Sequence, residues 1–165
     1  MRSPKSASLH SGGDESLEDL VPDDPDGWFL HDEHGFFGLV GPVWEKRYDG
    51  RPILGFRAAR KHQNKSGVVQ GGMLLALADR AMGHQIAARM GERRMASIQV
   101  DGHFVSLLRM GEFVIAESTI LRIASNVAFA ECQLSVAGRL VMAARGVFRH
   151  FPEHMTINDT SRGER

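Results

Sequence analysis

From Arg51 onward the apolar residues recur with a regular period, and that period switches once and then switches back. Residues 53–59 read as a strand, rich in Ile, Leu, Phe and Ala. Across residues 71–90, Met73, Leu74, Leu77, Ala78, Ala81, Met82 and Ile86 fall at helical spacing with few polar positions in the first three turns. That pattern predicts one long helix buried nearly all round, with Gly91-Glu92-Arg93-Arg94 as its exit. Only strands are predicted after it: 96–105, 112–123, 127–136 and 140–150, separated by Arg109-Met110-Gly111, Ala124-Ser125-Asn126 and Ala137-Gly138-Arg139, which read as hairpin links. Along 112–123, Phe113, Ile115, Glu117 and Thr119 alternate with Val114, Ala116, Ser118 and Ile120. Neither set is purely polar, which predicts a sheet covered on both faces.

The chain before Arg51 is less regular. Residues 1–25 are rich in Ser, Gly, Asp and Pro and are expected to form a mobile tail. Trp28, Phe29, Phe36, Phe37, Leu39, Val40, Val43 and Trp44 cluster into what reads as a short helix ending near Gly41-Pro42, laid over the domain or over a ligand entrance. At 165 residues the chain suits one domain, taken as 26–155, with a second mobile tail at 156–165. One helix cannot cover both faces of such a sheet. The order strand, long buried helix, four antiparallel strands therefore predicts an α+β fold in which a sheet wraps a central helix and a second copy covers what remains, giving a homodimer or homotetramer.

Charge narrows the classes of partner. Lys plus Arg equals Asp plus Glu at 20 each, so no overall field favours nucleic acid or an acidic membrane surface. No apolar run approaches the roughly 20 residues of a membrane span, and the start lacks the apolar core of a signal peptide. Cys132, the single cysteine, excludes an internal disulfide and fits a reducing, cytoplasmic setting; its mid-strand neighbours place it in the core. The densest histidine group, His31-Asp32-Glu33-His34, reads as a solvated turn, and neither a metal nor a cofactor is expected.

The candidate chemistry is concentrated in residues 64–79. Gly71-Gly72 opens the apolar helix, and a helix start offers unpaired backbone N–H groups to an anion or a polarised oxygen. Asp79 then stands in an otherwise apolar segment, where a carboxylate is costly unless it is paired, hydrated or used. Asn64, then Gln70-Gly71-Gly72 six residues later, then Asp79 nine after Gln70, match the Asn, His-Gly-Gly and Asp spacing of a known family. The strand start Met95-Ala96-Ser97-Ile98-Gln99-Val100 and the closing run 138–148 match it as well. On these motifs residues 27–151 resemble the PaaI-type acyl-CoA thioesterases of the hotdog superfamily.

The resemblance implies a hotdog fold and hydrolysis of an acyl-CoA or aryl-CoA thioester to free acid and CoA. It gives Asp79 the role of nucleophile or general base and the Gly71 N–H that of oxyanion donor, while Asn64 and Gln70 orient the carbonyl or the loop and Ser97 assists the acid. Where the family has His this chain has Gln70, which can donate and accept hydrogen bonds but cannot change charge near neutral pH. Gly71 and Asp79 are eight residues apart, roughly 12 Å along one helix, too far to meet one carbonyl. As in the resembling enzymes, Gly71 of one subunit would then face Asp79 of the other. Gly72, His62, Met73, Arg94 and Phe104 are the candidate substrate contacts, and Arg93, Arg109, Arg122 and Arg139 further candidate cations for CoA phosphates. Two other readings remain: a module that holds an acyl thioester without cleaving it, which Gln70 makes conceivable, and a hydratase, which lacks a His at the required place.

Overall fold

The computed structural model describes residues 16–31, 34–91 and 94–151. Among these, seven strands form one antiparallel sheet: β1 (Trp28–Leu30), β2 (Trp44–Tyr48), β3 (Arg51–Arg57), β4 (Met95–Phe104), β5 (Phe113–Ile123), β6 (Val127–Val136) and β7 (Arg139–His150), in the order β1-β2-β3-β5-β6-β7-β4. The short helix α1 (Phe36–Val40) lies between β1 and β2, and the long helix α2 (Gly71–Arg89) between β3 and β4. This is the hotdog arrangement, a sheet curled around one central helix. The strands that alternation predicted after the helix begin and end within about a residue of the observed ones.

Three expectations are corrected. The segment before Arg51 holds two strands besides a short helix, because Tyr48 and Arg51 flank a two-residue turn in which Asp49 and Gly50 both take positive φ (51° and 72°), the turn that closes a hairpin. The link containing Arg109-Met110-Gly111 is not a hairpin: β4 pairs with β7, while β5 inserts between β3 and β6, so this link returns the chain from the far edge to the middle of the sheet. Among the described residues of one chain, the sheet is also covered on one face only. Val114, Ala116, Ala128, Ala130, Cys132, Leu134, Met142, Ala144 and Phe148 point inward and are buried, while Glu117, Thr119, Gln133, Arg145 and Arg149 stand exposed on the other side. Ile115, Phe129 and Val147 on that outer face are what blurred the alternation.

Helix α2 carries three stripes, and their spacing decides what each touches. Met73, Leu74, Leu77, Ala78, Ala81, Met82, Gln85 and Ile86 are buried against the sheet. With Leu54, Phe56, Leu134, Met142 and Phe148 they make the core, each large apolar side chain contributing about 1.5–3 kcal/mol. Gly72, Leu75, Ala76 and Asp79, at i, i+3, i+4 and i+7, form a second stripe toward β4. Arg80 and His84, four apart, form a third, toward the segment around β1 and β2.

Of the stretch expected to be an N-terminal tail, the described end is docked. Residues Leu17–Leu20 form a 3-10 helix with Leu20 buried. The Trp44 indole donates to the Leu20 carbonyl (2.9 Å), and Arg57 donates through Nε and Nη2 to the Val21 carbonyl (2.9 and 2.7 Å). The proposed tail 156–165 lies outside the described residues. No helix among the described residues is long and apolar enough to cross a membrane.

Candidate active site

The groove between the second stripe of α2 and the edge strand β4 holds the acid. It is lined by Gly72, Leu75, Ala76, Asp79, Ser97, Ile98, Gln99 and Val100 and encloses about 410 Å³. Ser97 Oγ donates a hydrogen bond to Asp79 Oδ1 at 2.6 Å, the short distance of a hydroxyl on a carboxylate. Strand register explains the aim of this hydroxyl: the pairing between β4 and β7 slips between Ser97 and Gln99, a bulge that turns the strand locally and presents consecutive residues to the groove. Asp79 makes no ion pair with Arg80 or Arg89 among the described residues. Its carboxylate is half-buried, with one hydroxyl partner and the groove in front of it.

The start of α2 is open. Gln70 is the N-cap, and its own N–H donates to the His62 carbonyl (2.8 Å) while its carbonyl accepts from Met73 N (2.9 Å). The N–H groups of Gly71 and Gly72 have no acceptor among the described residues. A Cβ at Gly71 would come 3.0 Å from the Phe104 ring, so the bare backbone lets that half-exposed ring close over the helix start. At Gly72 a Cβ would meet nothing within 4 Å. The Gln70 side chain makes no capping bond and is exposed.

Other candidates fall elsewhere. Asn64 Oδ1 accepts from Ser66 N (2.8 Å) and Val68 N (3.4 Å), so this side chain shapes the turn that leads into α2. His62 does not line the groove: its ring is buried against Phe56, Nδ1 accepts from Ala59 N (3.0 Å) and Nε2 donates to the Val40 carbonyl, so it anchors the loop. Met73 is 6% exposed and belongs to the core rather than to a substrate wall. Arg94 is exposed at the entry to β4 and does not line the groove. Arg139 is committed structurally, with Nη2 on both Glu112 oxygens (2.8 Å each) and Nη1 on Ser106 Oγ and the Leu107 carbonyl. Burial works to raise the Glu112 pKa, but hydrogen bonds from Arg109 N and Arg139, with their charges, outweigh it and hold the carboxyl below its usual range. Arg93 lies outside the described residues.

One polar cluster had no counterpart in the motif reading. Of the group read as a solvated turn, Asp32 and Glu33 lie outside the described residues, and the His31 ring is largely buried rather than solvated: its Nδ1 lies 2.8 Å from Glu45 Oε2, which also receives His84 Nε2 at 3.0 Å. Glu45 itself is 2% exposed. Its partners stand 14 and 39 residues away, so no local spacing could reveal them.

A helix held inside a curled antiparallel sheet defines a hotdog protein, here with an acid and a hydroxyl at the helix flank and amides at its start that have no acceptor among the described residues. The chain belongs to the thioesterase superfamily, a family of thioester hydrolases: that family's model matches residues 66–143, which span the loop, the whole of α2 and the strands through the first part of β7. A Pseudomonas aeruginosa protein named "Putative esterase PA0474" is 30% identical over 116 residues, covering 69% of this chain and 86% of the relative. Among solved structures, a mutant of the phenylacetic acid degradation protein PaaI from Thermus thermophilus superposes with a TM-score of 0.64 at 20% identity, over 70% of this chain and 98% of the other. The BH2602 protein from Bacillus halodurans, solved with CoA, gives a TM-score of 0.56 at 20% identity, over 60% and 66%. At those identities the two structures establish the shared hotdog fold.

Proposed function

We propose that this protein hydrolyses acyl-CoA or aryl-CoA thioesters to the free acid and CoA, in clefts shared between two copies of the chain. The observation that carries the reading is the Ser97–Asp79 pair at 2.6 Å in an open groove, beside helix-start amides with no acceptor of their own among the described residues. A thioester needs a carboxylate to attack its carbonyl carbon or to take a proton from water, and donors for the oxyanion that develops. Asp79 supplies the first and the Gly71 N–H the second. Ser97 holds the carboxylate, Asn64 shapes the loop, and the free Gln70 amide orients the substrate carbonyl.

Within one helix Asp79 and Gly71 are roughly 12 Å apart, so the pair that meets one carbonyl comes from two helices. Two features support a second copy. Strand β4 has one edge without a partner strand among the described residues, and the apolar Ile98, Phe104, Val105 and Leu107 are each more than half exposed along it and its continuation. The CoA in the Bacillus halodurans structure supports the choice of leaving group. Gln70 in place of His favours a second reading, a module that binds an acyl thioester without cleaving it. Thiol release from a panel of acyl-CoA and aryl-CoA substrates separates the two: the enzyme reading expects turnover lost in Asp79→Asn, and binding without thiol release by the wild type would overturn it.

A further inference from the structure

The buried cluster on the other flank of α2 is unused by this chemistry. Glu45 (β2) receives His31, just past β1, and His84 (α2) on Oε2, and Arg47 Nε lies 2.9 Å from Oε1 as an ion pair. The His31 and His84 rings meet edge to face at 4.9 Å. Arg80 Nη2 stands 3.2 Å from His31 Nε2. A guanidinium can only donate, so Nε2 of His31 accepts, its proton is on Nδ1, and that proton points at Glu45. His84 Nε2 likewise donates to the carboxylate. These are the charged and titratable groups facing the cluster among the described residues: His31, Glu45, Arg47, Arg80 and His84.

Three ligand-type atoms within 4.8 Å of one another also fit a metal site. The proton arrangement argues otherwise. A cation at Nδ1 of His31 would move the ring proton to Nε2, facing the Arg80 donor, and would stand beside a carboxylate already paired with Arg47.

We propose that the His31–Glu45–His84 cluster is an acid-sensitive clamp that holds the N-terminal cover, β1 and α1, on the central helix, and through it the loop that opens α2. The link to the loop is continuous: Val40, the last residue of α1, accepts from His62, and the His62 carbonyl accepts from Gln70 N, next to Gly71. Burial, the largest effect, lowers the pKa of His84 below 6.5; the Glu45 charge opposes it, and the Arg80 charge adds to it. The sign follows. The clamped form favours neutral His84, so its contribution is complete above about pH 6.5 and is lost as the pH falls below that toward the lowered value. Protonated His84 places a second cation beside Arg80 and against the neutral His31 ring, and the cover is released. The clamp does not depend on the chemistry at Asp79; only its effect on turnover rests on the thioesterase reading.

Hydrogen exchange and tryptophan emission test the clamp on the full chain. Both tryptophans, Trp28 in β1 and Trp44 in β2, belong to the covered region. Between about pH 8 and about pH 5.5, exchange of the β1 and α1 amides, corrected for intrinsic rates, rises several-fold, with a limit of about tenfold per unit of lowering at His84. Over the same range tryptophan emission shifts, while amides of β5 to β7 stay protected. In His84→Gln, whose amide still donates to Glu45 but does not titrate, the pH dependence is lost and the cover stays protected. A wild-type cover indifferent to pH, or a His84→Gln chain that opens as the wild type does, would overturn the clamp. So would equimolar zinc that binds wild type but not His84→Gln and protects the cover. Thiol release at the two pH values, read separately, reports the fate of the enzyme reading.

Discussion

Two carboxylates lie against opposite flanks of α2. Asp79 has one short hydrogen bond from Ser97 and an open groove in front of it. Glu45 is buried at 2% exposure among two imidazoles and a guanidinium. The chemical difference follows from the company each keeps. A carboxylate buried among its own partners, with both imidazoles on Oε2 and the Arg47 guanidinium beside Oε1, is closed to a substrate, and removing it leaves buried donors without a partner. A carboxylate oriented by a single hydroxyl keeps lone pairs for a carbonyl carbon or a water. Beside this helix, then, the buried acid of β2 serves architecture, and the half-buried acid of α2 is the one left open for the proposed chemistry.

The largest expected contrast comes from removing each acid. Asp79→Asn should lower kcat for thioester hydrolysis by about 10²–10⁴-fold and leave thermal stability near wild type, measured by thiol release and thermal melting. Glu45→Ala should do the reverse, costing about 3–5 kcal/mol of stability in urea titration because His31, His84 and Arg47 lose their common partner. If Glu45→Ala melts as the wild type does, or Asp79→Asn melts much lower, the comparison fails.

Smaller changes sharpen it. Ser97→Ala removes one hydrogen bond to a charged group and should slow kcat by about tenfold with little change in KM, the mark of a positioning residue. Leu75→Phe, in the groove, should shift preference toward shorter acyl groups, read as the ratio of kcat/KM across a chain-length series. Met73→Leu, one stripe away and in the core, should cost less than about 1.5 kcal/mol and leave that ratio unchanged.

The groove flank was far more legible than the clamped one. Asp79 interrupts an apolar helical run and Gly71-Gly72 opens it, both local signals that spacing records. Ser97 lies at the start of a strand that alternation locates, though its aim depends on the bulge beside it, which no residue type announces. The His62 and Met73 assignments illustrate the limit: type and position in sequence resemble those of a groove residue, but the backbone turns one side chain into a loop anchor and the other into the core, while Asn64 keeps the loop-shaping half of its assignment. Glu45 was invisible because its partners come from β1's end and α2 and meet only after β2 pairs. One local signal for β2 was present. Asp49-Gly50 is a strong hairpin turn, and reading it places a strand on residues 44–48 with Glu45 on its buried side.

The most direct test of the shared cleft mixes two inactive chains. Gly71→Pro deletes the proposed oxyanion donor at the first helical position, where the extended Gln70 backbone (φ −61°, ψ 128°) accommodates proline and the half-exposed Phe104 ring must give by a few tenths of an ångström to clear its Cβ. Asp79→Asn deletes the acid. Each variant alone should be inactive. Mixed in equal amounts under conditions that allow subunit exchange, half the dimers carry one variant of each kind, and each of these regains one intact cleft of two, so activity should return to about a quarter of wild type. Recovery at that level is what a cleft built from two helices predicts. A mixture that exchanges subunits yet stays inactive would place both groups in one chain and contradict the account.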